Sequence, residues 1–318
     1  MLFIRKIFAY IPQLEVCSRI LYKDYLRKRD SKIEKKYLKD HVPEQKEVSE
    51  FFNKLADKIG ELNHCRGEIL IVHSSMDALE RAGKTADEIL DFLTSLTGKD
   101  GTLVMPAYPF YMPQEIELKF DEEEEPVKKY NPKITPAWTG GLPNAMCGRP
   151  GALRSLFPNN TLVAIGKEAE CMMEHNLEAD VSHGEHSAWK YCSDRHAKIL
   201  YLGIEPFHAL SLIHIAEDML DEKWPVKGWY KKQKYVIHYN GQTMEKECRV
   251  RKRFWSRYLT EQYCARKLQK AGLLFIGDIQ GIPIAFINDC NKVTEFVLDS
   301  VKKGDLLFYR IPERYLRQ

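Results

Sequence analysis

The sequence predicts an α/β fold, and three observations carry that prediction. Two short apolar runs of the buried strand type, Glu68–His73 and Thr102–Met105, bracket a stretch with helical spacing, Asp87–Thr97. A strand, a helix and a strand in that order form a parallel pair joined by a crossover helix. A third run of the same type, ILYLGI at 199–204, lies further along the chain. With 318 residues, 44% of them hydrophobic, the chain can bury a substantial core in one large domain or two smaller ones.

The elements follow in order. Phe51, Phe52, Leu55, Ile59 and Leu62 mark a helix over 46–63, and Asn63–Gly67 is a turn. Glu68–His73 is a β-branched, buried strand. Ile89, Leu90, Phe92, Leu93 and Leu96 make 87–97 a helix, and Gly98-Lys99-Asp100-Gly101 ends it. The next strand, Thr102–Met105, stops at Pro106. Residues 106–160 are rich in proline, glycine and aromatics. Long irregular segments of this kind are usually functional, and Tyr108, Phe110, Tyr111, Tyr130 and Trp138 argue for an ordered binding loop. The acidic run Asp121–Glu125 reads as solvated. A strand at 162–165, a helix at 169–175, the strand at 199–204 and a helix at 210–220 follow. Beyond Trp224-Pro225 come a hairpin turning at Asn240-Gly241, a basic helix near 254–271 and a strand, helix, strand tail. The expected organisation is an N-terminal helical extension (1–63), a core (64–224) and a C-terminal α+β segment completing the fold (225–318).

Composition narrows the function classes. A formal net charge of +3 gives no reason to expect a nucleic-acid partner. No apolar run is long enough to span a bilayer, so stable membrane insertion is not expected. The eight cysteines are scattered without C-x-x-C pairs, which reads as reduced thiols in a cytoplasmic protein. The opening MLFIRKIFAYIPQLEV is broken by Arg5, Lys6, Pro12, Gln13 and Glu15, so a secretion signal is rejected. Residues 1–48 hold twelve Lys/Arg against seven Asp/Glu. That excess reads as a solvated face, with contact to an anionic surface as the sharper alternative.

Three motifs carry candidate chemistry. In ILIVHSSMDALERAGKT (69–85), Gly83-Lys84-Thr85 resembles the end of a phosphate loop, but Ala78 stands where the first glycine is needed. A strand ending in Ser74-Ser75 can instead offer hydroxyls and N–H groups to a phosphate, or Ser75 can simply cap a helix. In SLIHIAEDML, His214 and Glu217 share one helical face, so the carboxylate can orient the imidazole as a general base, or the two can be an inconsequential pair. His183, His186, His208 and His214 raise zinc, but there is no H-E-x-x-H and no cysteine pair, so no metal is expected. Cys147 could be a nucleophile and reads better as an inert thiol.

Five stretches together resemble the aminoglycoside 3-N-acetyltransferase family, in the family's order: ILIVHSSMDAL, GKDGTLVMPAY, GRPGALRSLFPNNTLVAIGKEA, HGEHSAWKYC and KILYLGIEPFHALSLIHIAE. They cover about residues 69–220. The resemblance implies an acyl-CoA-dependent N-acyltransferase with a three-layer α/β/α core and a mixed, largely parallel sheet. It implies that His214 and Glu217 are the catalytic pair. The strand-end serines match Ser74 and Ser75, and the Arg-Ser pair matches Arg154 and Ser155. With His73 and Tyr108, these are the candidate CoA contacts. The family usually has His-Pro after Arg-Ser-x, where this chain has Phe157-Pro158. A second histidine is therefore not assumed, and Asn159 is the candidate oxyanion donor.

On this reading His214 accepts a proton from the acceptor amine, and Glu217 stabilises the imidazolium. The basic C-terminal residues Arg249, Arg251, Lys252, Arg253 and Arg257 favour an anionic acceptor. The expected substrate is then a nucleotide-linked amino sugar, a precursor of a bacterial surface polysaccharide such as lipopolysaccharide. An aminoglycoside antibiotic is the alternative acceptor, and a phosphate-loop NTPase and a non-catalytic tethering protein are the readings from other classes. A homo-oligomer is left open.

Overall fold

The structure is a computed structural model that describes residues 2–21, 45–62, 65–111 and 125–317. The acidic run up to residue 124, the middle of the aromatic loop and the basic stretch 22–44 lie outside the described residues.

Among the described residues, ten strands form two sheets: β1 (Ile69–Ser74), β2 (Thr102–Pro106), β3 (Lys128–Tyr130), β4 (Leu153–Arg154), β5 (Leu162–Gly166), β6 (Lys198–Leu202), β7 (Tyr230–Tyr239), β8 (Gln242–Arg251), β9 (Phe275–Ile279) and β10 (Ile282–Ile287). The large sheet has the order β4-β5-β2-β1-β6-β10-β9 and the small one β3-β7-β8. In the large sheet β1 runs parallel to both β2 and β6, and the flanking pairs are antiparallel. The parallel part is thus its centre, where crossover helices cover both faces.

Alternation along the central strands builds the three layers. Ile69 and Ile71 of β1 and Ile199 and Tyr201 of β6 enter one apolar cluster, while Leu70, Val72, Leu200 and Leu202 enter the other. The second cluster is closed by helices Gln45–Leu62 and Ala86–Thr97 through Phe51, Leu55, Ile89 and Leu93. The first is closed by helices Ala188–Asp194, His214–Leu220, Glu261–Lys270 and Cys290–Lys302. His73 shares the parity of Ile69 and Ile71 and so faces the layer that contains His214.

The hairpin turns at Asn240-Gly241, both with positive φ (48° and 77°), with Tyr239 opposite Gln242. It is no separate appendage. Arg249, near the end of β8, donates to Asp180 and Asp221, and Arg251 reaches the helix that carries His214. The tail returns β10 to the large sheet beside β6.

Candidate active site

The strand-to-helix passage after β1 is built by local packing. Met76–Leu79 is only one helical turn, and Ser75 makes no side-chain cap bond to it. A 3-10 turn, Glu80–Ala82, follows and closes at Gly83 with φ 66°. The real helix start is Thr85, whose hydroxyl accepts from the Glu88 N–H while the Glu88 carboxylate accepts from the Thr85 N–H. Lys84 lies over the Phe52 ring. Ala78 sits where Gly203, at φ 71°, passes so close that an added Cβ would stand 2.9 Å from the Ala78 Cβ. GKT is therefore a turn and a capping box, and the phosphate-loop alternative has no geometric basis.

The strand end itself is unusual for its buried polar atoms. His73 Nε2, Ser74 Oγ and Tyr201 Oη are buried without hydrogen-bond partners among the described residues. The His73 ring stacks on Tyr201 of the neighbouring strand with centroids 5.1 Å apart, and burial alone lowers its pKa to about 3. Buried polar groups without partners are costly, so such a cluster marks a place where a ligand would supply the missing bonds.

From His73 a row of rings leads to the helix His214–Leu220. Trp189 lies 6.2 Å from His73, His183 lies 5.4 Å from Trp189, and His214 lies 5.4 Å from His183. His214 Nδ1 is 2.7 Å from Glu217 Oε1; the imidazole side chain is 14% exposed and the carboxylate 2%. Burial pushes the imidazole pKa well below its ordinary value, the nearby Arg251 and His183 push the same way, and Asp218 opposes them. Burial raises the Glu217 carboxyl, and Arg251 opposes that rise. At neutral pH the imidazole is thus neutral, the form a proton acceptor needs. Arg251 Nη1 touches both ring nitrogens of His214 at 2.7 and 2.9 Å, lies 3.5 Å from Glu217 Oε2, and donates to the Tyr309 hydroxyl. Asp218 accepts from the His183 N–H at 2.8 Å and from the Tyr230 hydroxyl at 2.7 Å.

The other sequence-derived candidates fall into two groups. Tyr108 has a buried hydroxyl without a hydrogen-bond partner among the described residues, and its ring is edge-on to Trp138, which is 61% exposed. Asn159 donates to Ser182 Oγ at 2.8 Å, one residue before His183. Arg154 and Ser155 are instead buried in the scaffold. The Arg154 guanidinium donates to the Thr161 hydroxyl and to the carbonyls of Pro132, Thr135 and Ala107, pinning both ends of the aromatic loop. The Ser155 hydroxyl accepts from the Phe157 N–H two residues on, a local turn. Phe157 is buried with Tyr130, Tyr235 and Ile237 in a third apolar cluster. Tyr111 and Tyr130 donate to the carbonyls of Pro158 and Ser155, so they hold the loop, while Phe110 and Trp138 face outward.

Sequence reasoning missed the residues that complete the site. His183 is 1% exposed and neither of its ring nitrogens makes a hydrogen bond among the described residues, with Nδ1 3.5 Å from Asp218 Oδ2. The sequence offered it only as a metal ligand, and no group of three His, Cys, Asp or Glu able to hold a metal occurs among the described residues. Arg251 and Tyr309 come from distant segments, with no local signal linking them to His214.

Residues 71–297 match the sequence profile of the aminoglycoside 3-N-acetyltransferase family. Aminoglycoside N(3)-acetyltransferase III of Salmonella sp. is 28% identical over 194 residues, 59% of this chain and 66% of that protein. The type IX enzyme of Micromonospora chalcea is 28% identical over 163 residues, 49% of this chain and 57% of that one. The chain thus matches just under two thirds or less of the length of these relatives. Among solved structures, aminoglycoside acetyltransferase AAC(3)-Xa aligns over 82% of this chain and 98% of its own with a TM-score of 0.65 and 19% identity. AAC-IIIb, solved as a binary complex with CoASH, aligns over 82% and 98% with a TM-score of 0.64 and 23% identity. These likenesses establish the fold.

The same relatives overturn the expectation of a nucleotide-linked amino sugar for surface polysaccharide synthesis, since they are aminoglycoside acetyltransferases. The physical premise fails with it. Arg249 is spent on Asp180 and Asp221, and Arg251 on Glu217, so neither charge is kept for a pyrophosphate. No helix among the described residues is long and apolar enough to cross a membrane. By its sequence profile over residues 71–297 and its α/β/α architecture, this chain belongs to the aminoglycoside 3-N-acetyltransferase family.

Proposed function

We propose that this protein is an acyl-CoA-dependent N-acyltransferase acting on an amine of an aminoglycoside-type polycation. The observation that carries the reading is the His214–Glu217 pair, a neutral imidazole tied at 2.7 Å to a buried carboxylate in the layer that His73 faces. The His214 imidazole takes the proton from the acceptor amine, and Glu217 stabilises the resulting imidazolium. Asp218 adds negative charge beside that pair and suits a cationic acceptor.

His73, Ser74 and Tyr108, with their unpartnered polar atoms, and the adjacent Ser75 are the residues that would contact the CoA arm. Bound there, the cosubstrate supplies an activated thioester carbonyl. Asn159, held by Ser182, is the candidate donor to the negative charge that develops on the acyl oxygen. Arg154 and Ser155 support this surface from behind by fixing the loop.

The test is thiol release from acetyl-CoA with a panel of amines. Aminoglycosides should give acceptor-dependent release, with the acylated product seen by mass spectrometry. Release that no aminoglycoside stimulates, from folded protein that binds acetyl-CoA, would sink the reading.

A further inference from the structure

We propose that Arg251 is a positioning residue for the His214–Glu217 pair: wedged between the imidazole, the carboxylate and the Tyr309 hydroxyl, its guanidinium fixes which of the two carries the proton. The proposal rests on the reading that this pair is the proton-accepting centre.

The argument is one of donors and acceptors. A guanidinium has only N–H donors, and an ionised carboxylate only acceptors. His214 Nδ1 lies 2.7 Å from Glu217 Oε1, so the shared proton sits on Nδ1 when the carboxylate is charged. Arg251 Nη1 stands 2.7 Å from Nδ1 and 2.9 Å from Nε2, so a permanent cation lies against the ring itself. Protonating the ring a second time would set two positive charges against each other at contact distance. Glu217 Oε2, 3.5 Å from the same Nη1, supplies the counter-charge that keeps the guanidinium in place.

The groups facing His214 are Glu217 and Asp218 from its own helix, His183 from the loop before helix Ala188–Asp194, Arg251 from β8, and Phe308 beside Tyr309 from the tail. Of these, Arg251 is the permanent cation in contact with the ring. Docking of the hairpin does not explain its position, since Arg249 already ties β8 to Asp180 and Asp221. Tyr230, opposite Arg251 in the hairpin, hydrogen-bonds Asp218 and places the arginine's neighbour on the same helix.

The test is a ¹³C-histidine NMR titration of the His214 ring, assigned with His214→Gln, in wild type, Arg251→Lys and Arg251→Gln. The ring should stay neutral well below pH 6.5 in wild type and in Arg251→Lys. In Arg251→Gln its midpoint should rise by about one pH unit, a roughly tenfold change in proton affinity. An unchanged midpoint in Arg251→Gln would overturn the proposal. Should that variant not fold, Arg251→Met, which keeps the side-chain stem without the charge, must shift the midpoint in the same direction, and an unmoved midpoint there is equally fatal. Because the titration needs no turnover, it separates a wrong role for Arg251 from a wrong acceptor, which would leave the NMR shift intact and abolish only transfer.

Discussion

Two regions of the molecule carry conspicuous motifs and are built in opposite ways. In the stretch 76–85 the conspicuous residues are explained by their neighbours. Gly83 closes a 3-10 turn, Thr85 and Glu88 cap the following helix, and Ala78 is small because Gly203 passes beside it. In the stretch 214–217 the local pair is only a fragment. It becomes a centre through His183, through Arg251 and through Tyr309, which come from three other parts of the chain. A short motif thus reveals capping and packing at its own location, whereas a proton-transfer site needs charges that only folding brings together.

The comparison can be broken at either end. The largest expected effect is at the assembled end, where replacing His214 removes the general base. At the scaffold between the two regions, Arg154→Met should cost about 2–4 kcal/mol in urea denaturation, because it strands buried carbonyls at Thr135 and Ala107. A loss under 1 kcal/mol would show that the guanidinium is not the pin of the loop. His73 links the regions and has a defined pH signature. Its folded-state pKa of about 3 lies below the ordinary 6.5, so the unfolded chain binds the extra proton between those values. Stability is therefore full above pH 6.5 and falls as the pH drops toward 3. Relative to His73→Phe, the wild type should lose roughly 2 kcal/mol between pH 6.5 and 5. A pH-independent difference between the two proteins would contradict a buried neutral imidazole.

The smallest effects belong to the locally built stretch. Thr85→Ala should cost about 1 kcal/mol of stability through the lost cap and leave transfer unaffected. Lys84→Ala should change neither. A loss of turnover on Lys84→Ala would reopen the phosphate-loop reading and erase the contrast between the regions.

The same contrast explains what was legible in the sequence. The central strands, the helices after β1 and the Asn-Gly hairpin were readable because period-2 and helical spacing and turn residues are local signals. His214 with Glu217 was readable because a helix puts them on one face. The antiparallel flanks of the sheet were not, because β10 returns to β6 from far along the chain. Arg251 was noticed only as part of a basic segment, and that charge suggested an anionic acceptor. Folding gives it a carboxylate and an imidazole as partners, which reverses the inference. Arg154 followed the same course, an arginine suited to phosphate on paper and a clamp on carbonyls in the fold.

The most direct measurement of the central claim is the acyl-transfer rate of His214→Ala against wild type at saturating acetyl-CoA and acceptor, with acetyl-CoA affinity measured alongside. A rate lower by about 10²–10⁴ with affinity unchanged is the expected result. A variant that turns over at the wild-type rate while binding acetyl-CoA normally would contradict the assignment of this imidazole as the base.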